Sequence, residues 1–211
     1  GFHIFAGSQN LKAELIVQAF EKAVETVVSF LPHCPQKPAM VNLGGGFGIP
    51  YYASDTELDI GHVGAGLSRI LEKEQKTFEN MEIIVETGRY LVGECGVYVC
   101  RINEIKQSRG DTFLITDGGL HHHLAASGNF GQVIKRSFPV ILTDKLDQAP
   151  DTKVHIVGPL CTPLDTFGSS VPVPESEADD LVGVLASGAY GFTASPLHFL
   201  SHPAPKEVII Q

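Results

Sequence analysis

The sequence predicts an α/β plus β fold, in which a part of alternating strands and helices is followed by a β domain. From residue 1 to about 100, apolar runs alternate with helical stretches, an order typical of parallel strands joined by right-handed crossovers. Over 101–211, short β-rich runs are separated by Gly, Pro, Asp and Ser, which is typical of antiparallel sheets. We therefore expect a parallel sheet or barrel over 1–100 and an antiparallel sandwich or barrel over 101–211.

The first part opens with a short apolar run over 1–6, which predicts a strand. A helix follows, with Asn10 able to cap its start and the proline-bearing stretch 32–35 ending it. One face of this helix carries its apolar residues, which are Ile16, Phe20, Val24, Val27 and Leu31. The remaining elements are a strand over 39–43, a helix over about 59–78 and a strand over 82–86.

The second part contains six β-rich runs, each bounded by turn residues. They read CRINEIKQ, DTFLITD, SFPVILTD, TKVHIVG, DLVGVLASG and KEVII. The stretch 172–180, PVPESEADD, is charged and contains prolines, and we expect it to be a loop.

Composition excludes several classes of function. A net charge of −9 argues against nucleic-acid binding, which needs clustered Lys and Arg. No apolar run is long enough to predict a membrane span. The four cysteines lack the spacing of a zinc site or a disulfide framework, so we expect reduced thiols in a cytoplasmic protein. Three consecutive histidines, 121–123, cannot easily share one metal ion, and a place near a charged ligand or at an interface suits these loop histidines better.

Two stretches of the first part are candidates for binding chemistry. Gly44, Gly45 and Gly46 follow a predicted strand, where successive amides could form an anion nest or simply a tight turn. Glu86 and Arg89 flank a turn at the end of the third strand. Arg89 could grip a phosphate and Glu86 could hold a proton on a pyridine nitrogen, but a local salt bridge is the alternative.

The second part offers two further candidates. Cys161 and Asp165 share the loop GPLCTPLD, which could supply a proton donor and a polar anchor, although a buried structural cysteine is the alternative. Tyr190 lies between glycines after an apolar strand. Its hydroxyl could contact a phosphate, or the ring could serve ordinary packing.

Taken together and in order, seven stretches resemble one family. They are GFHIFAGSQ (1–9), VNLGGGFGIPYY (41–52), VETGRYLV (85–92), ITDGGLHHH (115–123), GPLCTPLD (158–165), GAYG (188–191) and KEVII (206–210). The chain resembles the fold-type III, alanine-racemase-like class of pyridoxal-phosphate decarboxylases, which includes diaminopimelate and ornithine decarboxylases. Within that class it is similar to the exosortase-A-system-associated branch, through HHHLAASGNFGQVIKR and GPLCTPLD.

The resemblance implies the C-terminal portion of a TIM-type (β/α)8 barrel followed by the β domain, in a homodimer with shared active sites. It implies that Gly44 to Gly46 hold the phosphate of pyridoxal 5'-phosphate. Arg89, Ser8 and Tyr190 would assist them, and Glu86 would pair with the pyridine nitrogen. It also implies that Cys161 of one subunit protonates the substrate carbon in the other, with Asp165 as the second acid of that loop.

Three departures from the family pattern bear on function. Phe5 stands where the family has the histidine that stacks on the cofactor, and His3 falls two residues early. Thr162 follows the cysteine, where related enzymes carry an acid for the distal ammonium of a diamino acid, and SFPVIL replaces their distal carboxylate-binding stretch. We therefore expect a small amino-acid-like substrate whose distal end is neutral, acylated or otherwise modified.

The third departure is the Schiff-base lysine, which in this family precedes the region that begins at Gly1. No lysine of this sequence follows an apolar strand as that lysine would. We expect residues 1–211 to be a fragment, inactive alone, of a decarboxylase. The alternatives are a non-catalytic homologue that binds a partner, and a racemase, against which the Cys161 loop argues.

Overall fold

The structure is a computed structural model that describes residues 1–52, 54–128 and 137–210. It divides into two compact units, of which the first ends at Leu91 and the second begins at Val92. The division leaves strand β4, Tyr98–Ser108, whole within the second unit, whereas the expected boundary near residue 100 would cut it. Residues 129–136 of the stretch that suggested the exosortase-associated branch lie outside the described residues.

The first unit contains a three-stranded parallel sheet with helices between its strands. The strands are β1 Phe2–His3, β2 Met40–Asn42 and β3 Glu82–Ile84, in the order β1-β2-β3. The helices are α1 Ala13–Phe30, α2 Ile60–Lys73, α3 Gln75–Phe78 and α4 Gly88–Val92, the last of which ends across the division. The predicted alternation of parallel strands and helices is confirmed for this unit.

Helix α1 packs its apolar face into the core of the first unit. Residues Ile16, Phe20, Val24 and Val27 are buried, as their spacing predicted. The prediction that Asn10 caps α1 is wrong, because the helix begins after Lys12 and the Asn10 side chain accepts the Lys12 amide at 2.9 Å. Asn10 therefore forms a turn ahead of the helix and leaves its first amides unbound by a side-chain cap.

Helix α2 begins with the side-chain cap that α1 lacks. The Asp59 carboxylate accepts the backbone amide of His62 at 2.8 Å, which satisfies one of the free amides of the first turn. Gly66 lies against Val17 of α1, so the two helices approach closely at this point. In the described part of the chain, no helix is both long and apolar enough to cross a membrane.

The second unit is a six-stranded sheet. Besides β4, its strands are β5 Asp111–Thr116, β6 Val140–Leu142, β7 Thr152–Val157, β8 Thr166–Val173 and β9 Leu181–Val184. They lie in the order β6-β9-β4-β5-β7-β8. The ends of this order approach each other, since the Ser169 amide in β8 donates to Ser137 Oγ ahead of β6 at 3.2 Å. The sheet is therefore nearly closed.

Three expectations for this unit are wrong. The sheet is mixed and not purely antiparallel, because β5 and β7 pair in parallel. The loop expected over 172–180 begins inside strand β8, a strand that the sequence analysis did not predict. The run 206–210 forms no strand; it has no neighbouring strand to pair with among the described residues, and Ile210 is 93% exposed.

Candidate functional site

The glycine run of the first unit lies between the ends of β1 and β3. A Cβ at Gly45 would overlap the carbonyl oxygen of Glu86, and one at Gly44 would overlap that of Ile4. The Glu86 amide donates to the Gly44 carbonyl at 2.8 Å, and the Asn42 side chain accepts the Gly44 amide at 2.9 Å. Close backbone packing on both sides therefore requires glycine here, whatever the run binds.

The same run borders the loop that follows β1. Ser8 lines a cavity of about 270 Å3 together with Gly45 and Gly46, and the first turns of α1 form another wall. Gly46 has a φ of +83°, and a Cβ there would overlap the Gly7 carbonyl oxygen. The structure therefore brings together the predicted residues Ser8, Gly45 and Gly46, while Phe5 is 75% exposed.

A polar cluster occupies the carboxyl ends of the three parallel strands. Asn42 Nδ2 donates to Glu86 Oε1 at 2.8 Å, and His3 Nε2 lies 3.5 Å from the same oxygen. His3 pairs in register with Asn42, so the strand pairing itself assembles the cluster. His3 and Asn42 were not predicted as site residues. Their position as the last residues of adjacent parallel strands was the signal that could have identified them.

Arg89 lies in α4, directly after the turn that follows Glu86, and its side chain is bonded to the loop that contains Tyr51. Its guanidinium donates to the Tyr51 hydroxyl at 2.5 Å and lies 5.7 Å from the centre of the Tyr51 ring. The Glu86 carboxylate lies 3.5 Å from His3 Nε2. The side chains of Glu86 and Arg89 therefore contact different groups, and the alternative of a simple salt bridge between them does not describe this turn.

In the second unit, the loop 158–165, here named the cysteine loop, is built around a buried carboxylate. Asp165 is 2% exposed, and its oxygens accept the backbone amides of Leu120 at 2.6 Å and Leu160 at 2.9 Å. A Cβ on Gly119 or Gly158 would overlap this carboxylate. Burial raises the pKa of Asp165, and the two amide hydrogen bonds oppose that shift.

Cys161 lies in this loop with its side chain exposed to solvent. The Asp165 amide donates to the Thr162 carbonyl at 3.1 Å, which closes a turn directly after the cysteine. Asp165 thus shapes the loop from inside while Cys161 projects from it. A solvent-exposed thiol can exchange a proton with a bound molecule, which a buried structural cysteine cannot do.

Tyr190 lies in the loop 187–195, here named the tyrosine loop. Its φ of +58° is in the left-handed region, which is strained for a residue with a side chain. The loop is held to an earlier turn, since the amides of Ser187 and Gly188 donate to the carbonyls of Gly96 and Gly93 at 2.8 and 2.9 Å. Tyr190 lines a cavity of about 600 Å3 together with Cys95, Tyr98 and residues 205–210.

The three consecutive histidines are buried in the second unit. His122 Nε2 lies 2.8 Å from the Pro203 carbonyl, and its Nδ1 lies 2.9 Å from the Tyr98 hydroxyl. Because a carbonyl can only accept, Nε2 carries a proton, which it donates to Pro203. Burial raises the pKa of Tyr98, so this hydroxyl remains a donor.

His121 has a different environment. It is fully buried, and neither ring nitrogen has a hydrogen-bond partner in the described part of the chain. Its ring lies 3.9 Å from that of His122 and 5.0 Å from that of His202. Burial, with added repulsion from His122 and His202, lowers the pKa of His121 to about 4. Over residues 1–52, 54–128 and 137–210, no group of three or more His, Cys, Asp or Glu residues could hold a metal ion.

Comparison with known proteins identifies the class to which the chain belongs. The family described as pyridoxal-dependent decarboxylase, C-terminal sheet domain, matches residues 17–188. The chain therefore belongs to the pyridoxal-dependent decarboxylases, whose members are lyases, and the predicted family is confirmed.

Curated relatives and a solved structure agree with this assignment. The L-glutamyl-[BtrI acyl-carrier protein] decarboxylase of Niallia circulans is 38% identical over 213 residues, which cover 99% of this chain and 50% of the relative. The diaminopimelate decarboxylase of Halalkalibacterium halodurans is 28% identical over 214 residues, which cover 100% of this chain and 47% of the relative. The chain spans about half the length of these relatives.

The diaminopimelate decarboxylase of M. jannaschii, solved in complex with L-lysine, has the same fold. The TM-score is 0.77 at 23% identity, with 96% of this chain and 44% of that chain covered.

Substituting Gly45→Ala should lower the free energy of unfolding by about 2–3 kcal/mol, because the added Cβ overlaps the Glu86 backbone and neither strand end can move away easily. Gly64→Ala in α2 is the matched control, since nothing lies within 4 Å of a Cβ there. The control should gain up to about 1 kcal/mol from helix propensity. Chemical denaturation measures both, and equal stability of the two variants would contradict the close packing at Gly45.

Acidification should destabilise the second unit through His121 and His123, whose pKa values burial lowers from 6.5 to about 4. Between these values the unfolded chain binds more protons, so the free energy of unfolding falls as the pH drops from 6.5 towards 4, by about 1 kcal/mol per pH unit for each histidine.

Replacing His121 with Leu isolates its part of this effect. His121→Leu should raise the free energy of unfolding by about 1 kcal/mol at pH 7.5, because two unsatisfied ring nitrogens are removed. This gain over the wild type should grow at pH 5. Urea denaturation at the two pH values measures it, and a gain that does not change with pH would disprove the assigned protonation.

Proposed function

We propose that the complete protein is a pyridoxal-phosphate-dependent decarboxylase that acts on an amino acid whose distal end is neutral, acylated or otherwise modified. The observation that carries the proposal is the arrangement at the carboxyl ends of β1, β2 and β3. There a glycine-lined cavity with Ser8 and a polar cluster centred on Glu86 lie on the same three strands. This pairing supplies the two groups that the cofactor requires, an anion cradle and a carboxylate.

The fit to the cofactor follows from the residues present. Amides of Gly45 and Gly46, with the Ser8 hydroxyl, would hold the phosphate, since no Cβ stands between the backbone and an anion. Arg89 would add a positive charge and a forked donor. The Glu86 carboxylate, already oriented by Asn42, would hold a proton on the pyridine nitrogen. When bound, pyridoxal phosphate supplies an electron sink for the electron pair left by the departing carboxyl group.

His3 gains a role that the sequence did not predict. Its Nε2 lies 3.5 Å from Glu86 Oε1, so the His3 ring would help Asn42 to orient that carboxylate towards the pyridine nitrogen. Phe5, exposed on the stretch after β1, would pack its ring against the cofactor in place of the histidine found in other members.

In the second unit, Cys161 would deliver the proton that replaces the carboxyl group on the substrate carbon. The Sγ–H bond breaks and the thiolate remains until it takes a proton from water. Asp165 is too deeply buried to touch the substrate, so its role would be to hold the cysteine loop in shape. Tyr190 would contribute its hydroxyl to the phosphate.

Thr162 supports the choice of substrate. It follows Cys161 directly, and its hydroxyl accepts the Leu164 amide at 3.3 Å within the loop. A neutral residue that is engaged in its own turn offers no anion to a distal ammonium. The Niallia circulans relative is named for a glutamyl group carried on an acyl-carrier protein, in which one glutamate carboxyl is joined to the carrier and carries no charge.

The homodimer, the TIM-type barrel of the complete protein and its cytoplasmic location stay predictions.

A shared active site requires Cys161 of one subunit to act in the other. Mixing a Cys161→Ala protein with a Glu86→Gln protein would restore up to roughly a quarter of the activity if sites are shared by random exchange of subunits in a dimer.

The complete protein, mixed with pyridoxal phosphate, should show an absorbance band at about 420 nm, and borohydride should abolish it by fixing the cofactor to a lysine. Carbon dioxide release is then measured for acylated amino acids, diaminopimelate and ornithine. Release from an acyl-carried amino acid alone is the expected result. Cofactor binding without release from any substrate would favour a non-catalytic homologue.

Substituting Thr162→Glu should shift the ratio of kcat/KM for a diamino acid over the acylated substrate by roughly tenfold or more, because it adds an anion for the distal ammonium. Ser169→Glu places the same charge on an exposed residue of β8 and serves as the matched control. Equal ratios for the two variants would contradict the role of Thr162.

A further inference from the structure

We propose that the segment 119–124, here named the mount, positions the tyrosine loop and the cysteine loop together. The positioning residues are His123 in the mount and Asp165 in the cysteine loop. The functional meaning of the two loops rests on the proposed function above. The coupling itself rests on contacts within the second unit. Each loop carries one exposed candidate residue, Tyr190 or Cys161, and both loops are bonded to the same six residues.

The cysteine loop is joined to the start of the mount through Asp165. One carboxylate oxygen accepts the Leu120 amide of the mount, and the other accepts the Leu160 amide of the loop. Gly119 and Gly158 lie directly against the carboxylate, one on each side of the junction. A single buried side chain thus fixes the distance between mount and loop.

The tyrosine loop is joined to the end of the mount through His123. The Ala126 amide donates to His123 Nδ1 at 3.2 Å, so the neutral ring carries its proton on Nε2. That proton is donated to Ser187 Oγ at 2.9 Å. The Ser187 hydroxyl in turn donates to the Val184 carbonyl at 2.7 Å. The direction of every bond in this chain is therefore fixed.

A second set of hydrogen bonds joins the mount to the C-terminal end of the tyrosine loop. The Leu124 amide donates to Ser195 Oγ at 2.8 Å, and the Ser195 hydroxyl donates to the Gly191 carbonyl at 2.6 Å. Tyr190 therefore lies between two anchor points, Ser187 before it and Gly191 after it, and both lead to the mount. Such bracketing can hold Tyr190 in its left-handed conformation.

The mount is buried, so a displacement of one of its residues should also shift the neighbouring residues that contact the two loops. His121 and His123 are at most 1% exposed, and Leu120 is 8% exposed. Burial keeps His123 neutral, since desolvation lowers its pKa to about 4, so its Nε2 remains a donor at neutral pH. Displacing His123 should therefore disturb not only Tyr190 but also the Leu120 amide that Asp165 holds.

The test compares His123→Asn with His123→Gln in the complete protein. Asparagine can accept the Ala126 amide but cannot reach Ser187, whereas glutamine places an amide donor where Nε2 was. His155→Asn is the matched control, because His155 lies in β7 outside the mount and both loops. Asp165→Asn tests the link between the mount and the cysteine loop. It replaces one carboxylate oxygen with an NH2 group, which cannot accept a hydrogen bond from the Leu120 or Leu160 amide.

Two readouts report on the two loops. The alkylation rate of Cys161 by iodoacetamide, located by mass spectrometry in cofactor-free protein, reports on the cysteine loop without requiring catalysis. The dissociation constant for pyridoxal phosphate, from equilibrium dialysis, reports on the tyrosine loop. His123→Asn should weaken cofactor binding about tenfold, the equivalent of one lost hydrogen bond, and change the Cys161 alkylation rate at least about twofold. Asp165→Asn should likewise change both, while His123→Gln and His155→Asn stay near the wild type.

The proposal is overturned if each variant changes only the readout of its own loop, or if His123→Asn changes neither. It is also overturned if His123→Gln is as impaired as His123→Asn, since the donated proton would then be irrelevant. Failure of the proposed function is distinguishable, because wild-type protein would then bind no pyridoxal phosphate while the dependence of Cys161 alkylation on His123 could still be measured.

Discussion

The first unit depends on the close approach of three strand ends around a segment without side chains. Gly44 and Gly45 lie against the backbone carbonyls of Ile4 and Glu86, and the Glu86 amide is bonded back to Gly44. This packing sets the register in which His3, Asn42 and Glu86 meet. It also leaves amides of the run beside Ser8, so one backbone constraint produces both the cavity and the polar cluster.

In the second unit, buried polar groups hold the irregular loops that carry the candidate residues. The loops that carry Cys161 and Tyr190 are irregular, and irregular loops need partners for their backbone amides. Asp165 satisfies two amides, and the bonds from Ser187 and Gly188 to the turn at Gly93–Gly96 satisfy two more. The buried side chains of His122 and His123 add hydrogen-bond donors in fixed positions, to Pro203 and Ser187. Buried polar side chains therefore hold the irregular segments in place.

Much of this architecture could be predicted because it follows from local patterns. The apolar face of α1 and the alternation of strands and helices are periodic signals that tertiary contacts reinforce. The candidate residues Gly45, Glu86 and Cys161 were identified from the order of the motifs. What could not be predicted depends on contacts between distant segments. Strand β8 forms despite its glycine, serines and proline because β7 pairs along it, and 206–210 lacks such a neighbour despite its β-forming residues. The buried rings of His122 and His123 find their hydrogen-bond partners 24 to 81 residues away in sequence, which no local pattern reports.

The central claim is that the glycine run and Ser8 form an anion cradle for the cofactor phosphate. The most direct measurement compares the affinity of the complete protein for pyridoxal phosphate and for pyridoxal, which lacks the phosphate, in the wild type and in Ser8→Ala. The account predicts that Ser8→Ala weakens binding of the phosphorylated form by roughly tenfold while leaving pyridoxal unchanged. Equal losses for the two compounds, or no loss for either, would show that the phosphate is held elsewhere.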